Sequence, residues 1–240
     1  VFQDLMDTDE RSRIETNEDF MMIILRIPIE NSSDSQTPYV TLPLGLILTD
    51  RYVLSICSKQ SSILTDFIES KIRGFSTHSK NKFILQIFFN TALTYLKYLK
   101  EINKMSNVIE KELQKSMENK ELVKLLNLEK SLVFFTTSIK SNEIMMERVQ
   151  KNRTFRVNTE EDSMLEDALV SLALRNEKLM ERLQKNQVFI INSEEENLLE
   201  DVIIENRQAI EMANIYTDIL NGLMDAFASI ISNNLNLVMK

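Results

Sequence analysis

The chain of 240 residues is 43% apolar, enough to bury a substantial core in one or two domains. Its net charge of −8 argues against a nucleic-acid partner and is compatible with binding cations. The single cysteine, Cys57, rules out an internal disulfide framework, and Gly45, Gly74 and Gly222 stand too far apart to build a phosphate-binding loop.

All three prolines, Pro28, Pro38 and Pro43, fall near the start. The skew predicts an α+β protein: a small α/β domain over residues 1–78, a long antiparallel helical region over 79–192, and a final long helix over 193–240. In the first domain, Phe20–Ile29, Tyr39–Thr49 and Tyr52–Cys57 are rich in strand-forming residues. The polar stretch ENSSDSQTP joins the first two, and Thr49–Arg51 is short enough for a hairpin turn. Ser61–Arg73 then reads as a helix with Gly74 near its end. The longest apolar run, around Phe20–Ile29, is too short to span a bilayer, and no secretory signal precedes it.

From Ser79 the period changes. Phe83, Ile87, Thr91, Thr94, Tyr98, Ile102 and Met105 recur every three or four residues and mark one face of a long helix. Lys115–Leu122 is the first candidate turn, without Gly or Pro to enforce it. A second helix to about Lys151, a third over Thr159–Lys185 and a fourth from Ser193 follow, with Thr159 and Ser193 as N-caps backed by acidic first turns.

The junctions repeat. MERVQKNRTFRVNTEEDSMLED (146–167) returns as MERLQKNQVFIINSEEENLLED (180–201), a loop with its flanking helix ends duplicated at a spacing of 34 residues. Two copies cannot build a stacked array. One extra reversing loop would invert the last helix relative to the first, so either one junction does not reverse the chain or Lys115–Leu122 is continuous helix.

The last helix carries a polar line, Asn214, Asp218, Asn221, Asp225, Ser229, Ser232, Asn236 and Met239, at helical spacing. A second line, Ile215, Ile219, Leu223, Phe227 and Ile230, suits packing. Between Arg207 and Lys240 there is no Lys or Arg, only the acids Glu211, Asp218 and Asp225. Periodicity alone describes an amphipathic helix with a solvated face; missing positive charge over that length also fits a helix lining a cation path.

Gly222–Lys240, GLMDAFASIISNNLNLVMK, closely resembles the stalk-helix end of the CorA family of divalent-cation transporters. The matching positions are Ser232, Asn233, Asn236, Met239 and Lys240. Leu198–Asp225 resembles the upstream part of that helix, and Phe2–Pro28 resembles the family's first block, an Asp before a charged run and an apolar strand. The family's membrane helices and the Gly-Met-Asn between them do not appear, so the chain looks like the cytoplasmic part of a membrane protein. The duplicated unit also exceeds the family's usual helix-loop-helix length. The resemblance implies a homopentamer at the cell membrane that regulates Mg²⁺ flux by binding Mg²⁺ at carboxylates between subunits. It implies Asp201 as the stalk ligand, a second ligand from a neighbour's N-terminal domain with Glu30 and Asp34 as candidates, and Asp225, Asn236 and Met239 lining the axis. Asp167, the duplicated counterpart of Asp201, and Glu30 by itself read as ordinary solvated acids. A Met ring can gate by excluding water.

Nothing in the sequence supports an enzyme: His78 has no cysteine partner nearby, and it and Cys57 read as structural. Two alternatives stand beside the Mg²⁺ reading, a ZntB-like transporter of another divalent ion such as zinc and a helical scaffold without transport.

Overall fold

The computed structural model describes the chain except residues 1–4, 18–19, 32–36, 50, 76–78, 117–118, 152–154, 158–188, 192 and 239–240. Four strands form one antiparallel sheet in chain order: β1 (Arg13–Thr16), β2 (Met21–Glu30), β3 (Tyr39–Leu48) and β4 (Val53–Cys57). The three strands expected from β-propensity are found within a residue or two of their limits. The short β1 escaped notice because RIET has one apolar residue and no alternation to extend.

β2 is buried on both faces, so it reads as a continuous apolar run instead of an alternation. Met21, Ile23, Leu25 and Ile27 face the helices, whereas Met22 and Ile24 face Leu5 from the N-terminal segment. Gly45 makes that second contact possible, since a Cβ there would lie 2.5 Å from the Leu5 methyl carbons.

The two prolines inside these strands sit where the sheet narrows. β1 stops at the Arg13–Ile24 pair and β4 at the Cys57–Leu44 pair, leaving residues 26–30 and 39–43 as a two-stranded extension. Arg26 and Pro43 are opposite each other, and the Arg26 N–H and C=O are taken up on the other edge. Pro43 therefore faces no N–H demand from β2, and it comes just where pairing with β4 has ended.

Asn142 replaces the missing end of β1. Its Oδ1 accepts from the Arg26 N–H at 3.0 Å, and its Nδ2 donates to the Arg26 carbonyl at 2.8 Å. That is the pair of bonds a strand residue would make two places beyond Ile24. Ser12, the residue before β1, donates its hydroxyl to the same Oδ1 at 2.6 Å.

A short helix, α1 (Ser62–Ile68), follows the sheet. The helix expected over Ser61–Arg73 ends early: the Ser70 N–H donates to Phe67 and the Lys71 N–H to Asp66, with Ser70 at φ +55°. These paired bonds close a helix on a left-handed residue, and Ser70 takes the place usually held by glycine.

Among the described residues, three long helices follow: α2 (Lys80–Ser116), α3 (Asn119–Lys151) and α4 (Ser193–Val238). Lys124 of α3 reaches Glu112 of α2 at 3.5 Å, so the chain reverses between them and the Lys115–Leu122 turn is a real one. α2 presents Ile87, Thr91, Tyr98 and Ile102 to the interior, as the spacing requires. Tyr95, Tyr98, Phe135 and Tyr39 form an aromatic cluster joining α2, α3 and β3, with Tyr95 and Phe135 edge to face at 5.1 Å.

The repeat has a structural counterpart. Two short strands, β5 (Phe155–Val157) and β6 (Phe189–Ile191), pair in parallel, Phe155 opposite Phe189 and Val157 opposite Ile191. Each residue faces its equivalent in the other copy. α4 runs alongside α2, their starts joined by Ser79 and Glu195, and antiparallel to α3, which turns back on α2 at Lys124 and Glu112. The helix expected over Thr159–Lys185 lies outside the described residues, as do its cap Thr159 and Asp167.

Candidate functional site: the long helix α4

α4 begins with three glutamates in its first turn, where carboxylates oppose the positive end of the helix. Glu195 is buried, and its carboxylate accepts from the Ser79 hydroxyl. Ser79 caps α2 in turn, its Oγ accepting from the Lys82 N–H at 3.1 Å. The starts of α2 and α4 are thus tied together.

One face of α4 closes the core through Val202, Ala209, Ala213, Leu220 and Phe227. The alanines let the helices approach closely. Asn206 is buried and donates to the Ile139 carbonyl at 3.3 Å, and Arg207 bridges to Glu143 and Glu147 of α3.

The remaining surface holds two stripes. Asn214, Asp218, Asn221, Asp225, Ser229 and Ser232 are all exposed and form the polar line expected from sequence. The line expected to pack divides. Phe227 is buried and Leu223 half-buried, but Ile215 (54%), Ile219 (45%) and Ile230 (39%) are exposed, in line with Ile204 (54%). At about 100° per residue these isoleucines stand roughly 120° around the helix from the buried line, so one chain cannot cover both. Asn236 lies within α4, while Met239 lies outside the described residues.

Asp201 is exposed on α4, whereas Asp34 lies outside the described residues. Glu30 is exposed at the end of β2, opposite Tyr39. The Tyr39 hydroxyl donates to Glu101 of α2 at 2.8 Å, a neighbouring carboxylate that sequence reading had not singled out. Burial first, then that bond to Glu101, pushes the Tyr39 phenol above its ordinary range.

Glu30 and Asp201 are not brought together within a chain. Asp201 stands level with residue 85 of α2, counted from the Ser79–Glu195 contact, and Glu30 with Glu101; at 1.5 Å per residue that is about 24 Å along the helices. Level with Asp201 is the opposite end of β2: Met21 pairs with Leu48, and the next residue, Thr49, accepts from Lys80 at the start of α2 at 2.8 Å. The β1–β2 turn is there, closed by the Asn17 N–H donating to Phe20 at 2.9 Å, with Glu15 exposed beside it.

Among the described residues no three His, Cys, Asp or Glu side chains converge as a metal site, and no helix is long and apolar enough to cross a membrane. Cys57 is half-buried against the main core, where burial pushes its thiol up. His78 lies outside the described residues.

Residues 1–173 and 168–240 both match the family described as CorA-like Mg²⁺ transporter protein. The chain belongs to the CorA family. The two matches meet between the copies of the repeat, where an extra unit would interrupt a family pattern. The complete CorA magnesium transporter of Methanocaldococcus jannaschii superposes with a TM-score of 0.73 at 20% identity, covering 99% of this chain and 64% of that one. Its soluble domain gives 0.69 at 20% identity, covering 93% and 76%. The full-length CmaX protein gives 0.65 at 12% identity, covering 98% and 62%. This chain therefore spans less than two thirds of the full-length proteins whose fold it shares. No curated protein matches the sequence.

Proposed function

We propose that the chain is the cytoplasm-facing part of a CorA-type Mg²⁺ transporter in the cell membrane, and that copies assemble as a homopentamer with α4 nearest the axis. Its role is transport and its regulation, not catalysis. The observation that carries this reading is the pair of stripes on α4: exposed isoleucines beside an exposed polar line, with no Lys or Arg between Arg207 and Lys240. Fully burying an isoleucine is worth about 1.5–3 kcal/mol, and a neighbouring copy is the surface that repeats along the whole stripe. That contact turns the polar line toward the axis. Asp218 and Asp225 then form rings of negative charge that concentrate cations, and Asn236 and Met239 continue the line toward a polar and an apolar ring.

Asp201 is the stalk carboxylate of the regulatory site. Mg²⁺ prefers oxygen ligands, keeps several waters and uses only one or two carboxylates, so two acids from different subunits suffice. Rotation about an axis parallel to α4 leaves a residue's height unchanged. A partner for Asp201 must therefore come from its own level, and the end of β1 supplies an exposed acid there, Glu15. Glu30 belongs about 24 Å further along, at the level of Asp218. Bound Mg²⁺ offsets repulsion between acidic neighbours and holds the closed arrangement; its loss releases them.

Flux through the whole transporter, measured against internal Mg²⁺, tests this. Asp201→Ala leaves a channel that internal Mg²⁺ no longer inhibits. Unchanged inhibition overturns the assignment, and a transporter that carries zinc but not Mg²⁺ overturns the choice of ion.

A further inference from the structure

A cavity of about 1080 Å³ opens between the N-terminal segment 9–16 and the outer side of α3. Its lining reverses the charge of the molecule. Among the described residues, Arg11, Arg13, Arg26 and Lys140 line it against a single carboxylate, Asp9, in a chain of net charge −8. Just outside, Glu10 and Glu15 are both paired with Arg13, and Asp7 lies near Arg26.

Arg26 forms the floor. Its guanidinium donates to the carbonyls of Thr8, Glu10 and Thr41 and to the hydroxyls of Thr41 and Ser138, at 2.7–3.0 Å. None of these acceptors is charged, so a half-buried cation lies beneath the cavity without a bonded carboxylate. Burial lowers its pKa, the sign of a charge held away from water. Arg11 and Lys140 stand exposed at the rim, and α3 adds the hydroxyls of Thr136, Thr137 and Ser141. The same wall exposes three large apolar side chains, Val133 (52%), Phe134 (43%) and Ile144 (56%).

We propose that this cavity binds an organic phosphate carrying a flat apolar ring, of the purine nucleotide class. The ring lies against Phe134, Val133 and Ile144. The phosphates extend between Arg11 and Lys140, over the Arg26 charge and within reach of the α3 hydroxyls. The volume is at the upper end for a site of this kind, which leaves room for a triphosphate. A membrane lipid headgroup has similar chemistry but cannot reach. The cavity is level with Asn206, which contacts Ile139, and Val238 lies about 48 Å further along α4 at 1.5 Å per residue. That last point rests on the proposed membrane orientation; the rest does not.

Calorimetric titration in chelator separates this site from any metal site. ATP is expected to bind once per chain, with adenosine and inorganic phosphate each weaker by about tenfold or more. Arg11→Glu with Lys140→Glu lowers ATP affinity by about tenfold or more while leaving the ligand-free melting curve in place. Phe134→Ala weakens ATP and leaves phosphate unaffected. Absence of ATP binding at millimolar concentration overturns the proposal. So does undiminished binding by the charge-reversed chain, or binding to phosphatidylglycerol vesicles in place of ATP. Loss of Mg²⁺ regulation alone leaves these outcomes untouched.

Discussion

Replacing Asn142 by alanine removes the residue that continues the sheet edge past β1. The side chain is 1% exposed and makes three hydrogen bonds: one from the Arg26 N–H, one to the Arg26 carbonyl and one from the Ser12 hydroxyl. The carbonyl keeps the Tyr95 hydroxyl, which donates to it at 3.0 Å, and the part-buried Ser12 hydroxyl can turn to water. The Arg26 N–H has no such substitute. An unsatisfied buried donor costs about 1–3 kcal/mol, and with the lost bonds the total is about 3 kcal/mol. For a chain of this size that lowers the melting temperature by about 6–12 °C at fixed protein concentration. Circular dichroism melting measures it. Ser141→Ala, which removes one acceptor for the Ser12 N–H at 3.1 Å, is the matched comparison and costs about 1 kcal/mol or less. If Asn142→Ala shifts melting no more than Ser141→Ala, Asn142 is not a substitute strand residue.

Other consequences can be checked in the same way. Burial and Glu101 keep the Tyr39 phenol protonated past its ordinary range, so its contribution is full below about pH 10, the unfolded value, and is lost as pH rises above it. Wild type should lose denaturant resistance above that pH, and Tyr39→Phe should lose it less steeply from a lower starting stability. Ile215→Glu with Ile219→Glu should leave the melting temperature of the single chain within about 2 °C, since both are exposed, while abolishing self-association in sedimentation. Reduced stability with intact association would place the isoleucines in the chain's own core. Asp167→Ala in the whole transporter should leave inhibition by internal Mg²⁺ unchanged, in contrast to Asp201→Ala; equal loss in both would make both copies of the repeat metal sensors.

The architecture was legible where apolar spacing is set by burial within one chain. β2 and β3 are buried on two faces and α2 on one, and each left an unbroken run or a regular period. Interactions made by polar side chains across distant elements left no such trace. Asn142 pairing with Arg26 and Glu195 pairing with Ser79 join residues more than a hundred positions apart, and neither residue differs locally from a solvated one. The α4 isoleucines show the opposite failure. Their period was correct, but period alone reports an apolar stripe without saying which surface covers it. Glu30 reads in the sequence as one acid among several in a polar stretch, and its place at the end of β2, opposite Tyr39, is visible only in the structure.

On the proposed reading, Mg²⁺ joins subunits at the level of Asp201. Sedimentation equilibrium of this chain, in millimolar Mg²⁺ and in chelator, tests it without membrane helices or flux. Wild type should gain mass toward a pentamer in Mg²⁺ and lose it in chelator, and Asp201→Ala should stay at the chelator value in both. A wild-type mass indifferent to Mg²⁺, or an Asp201→Ala chain that responds as wild type does, would contradict the claim.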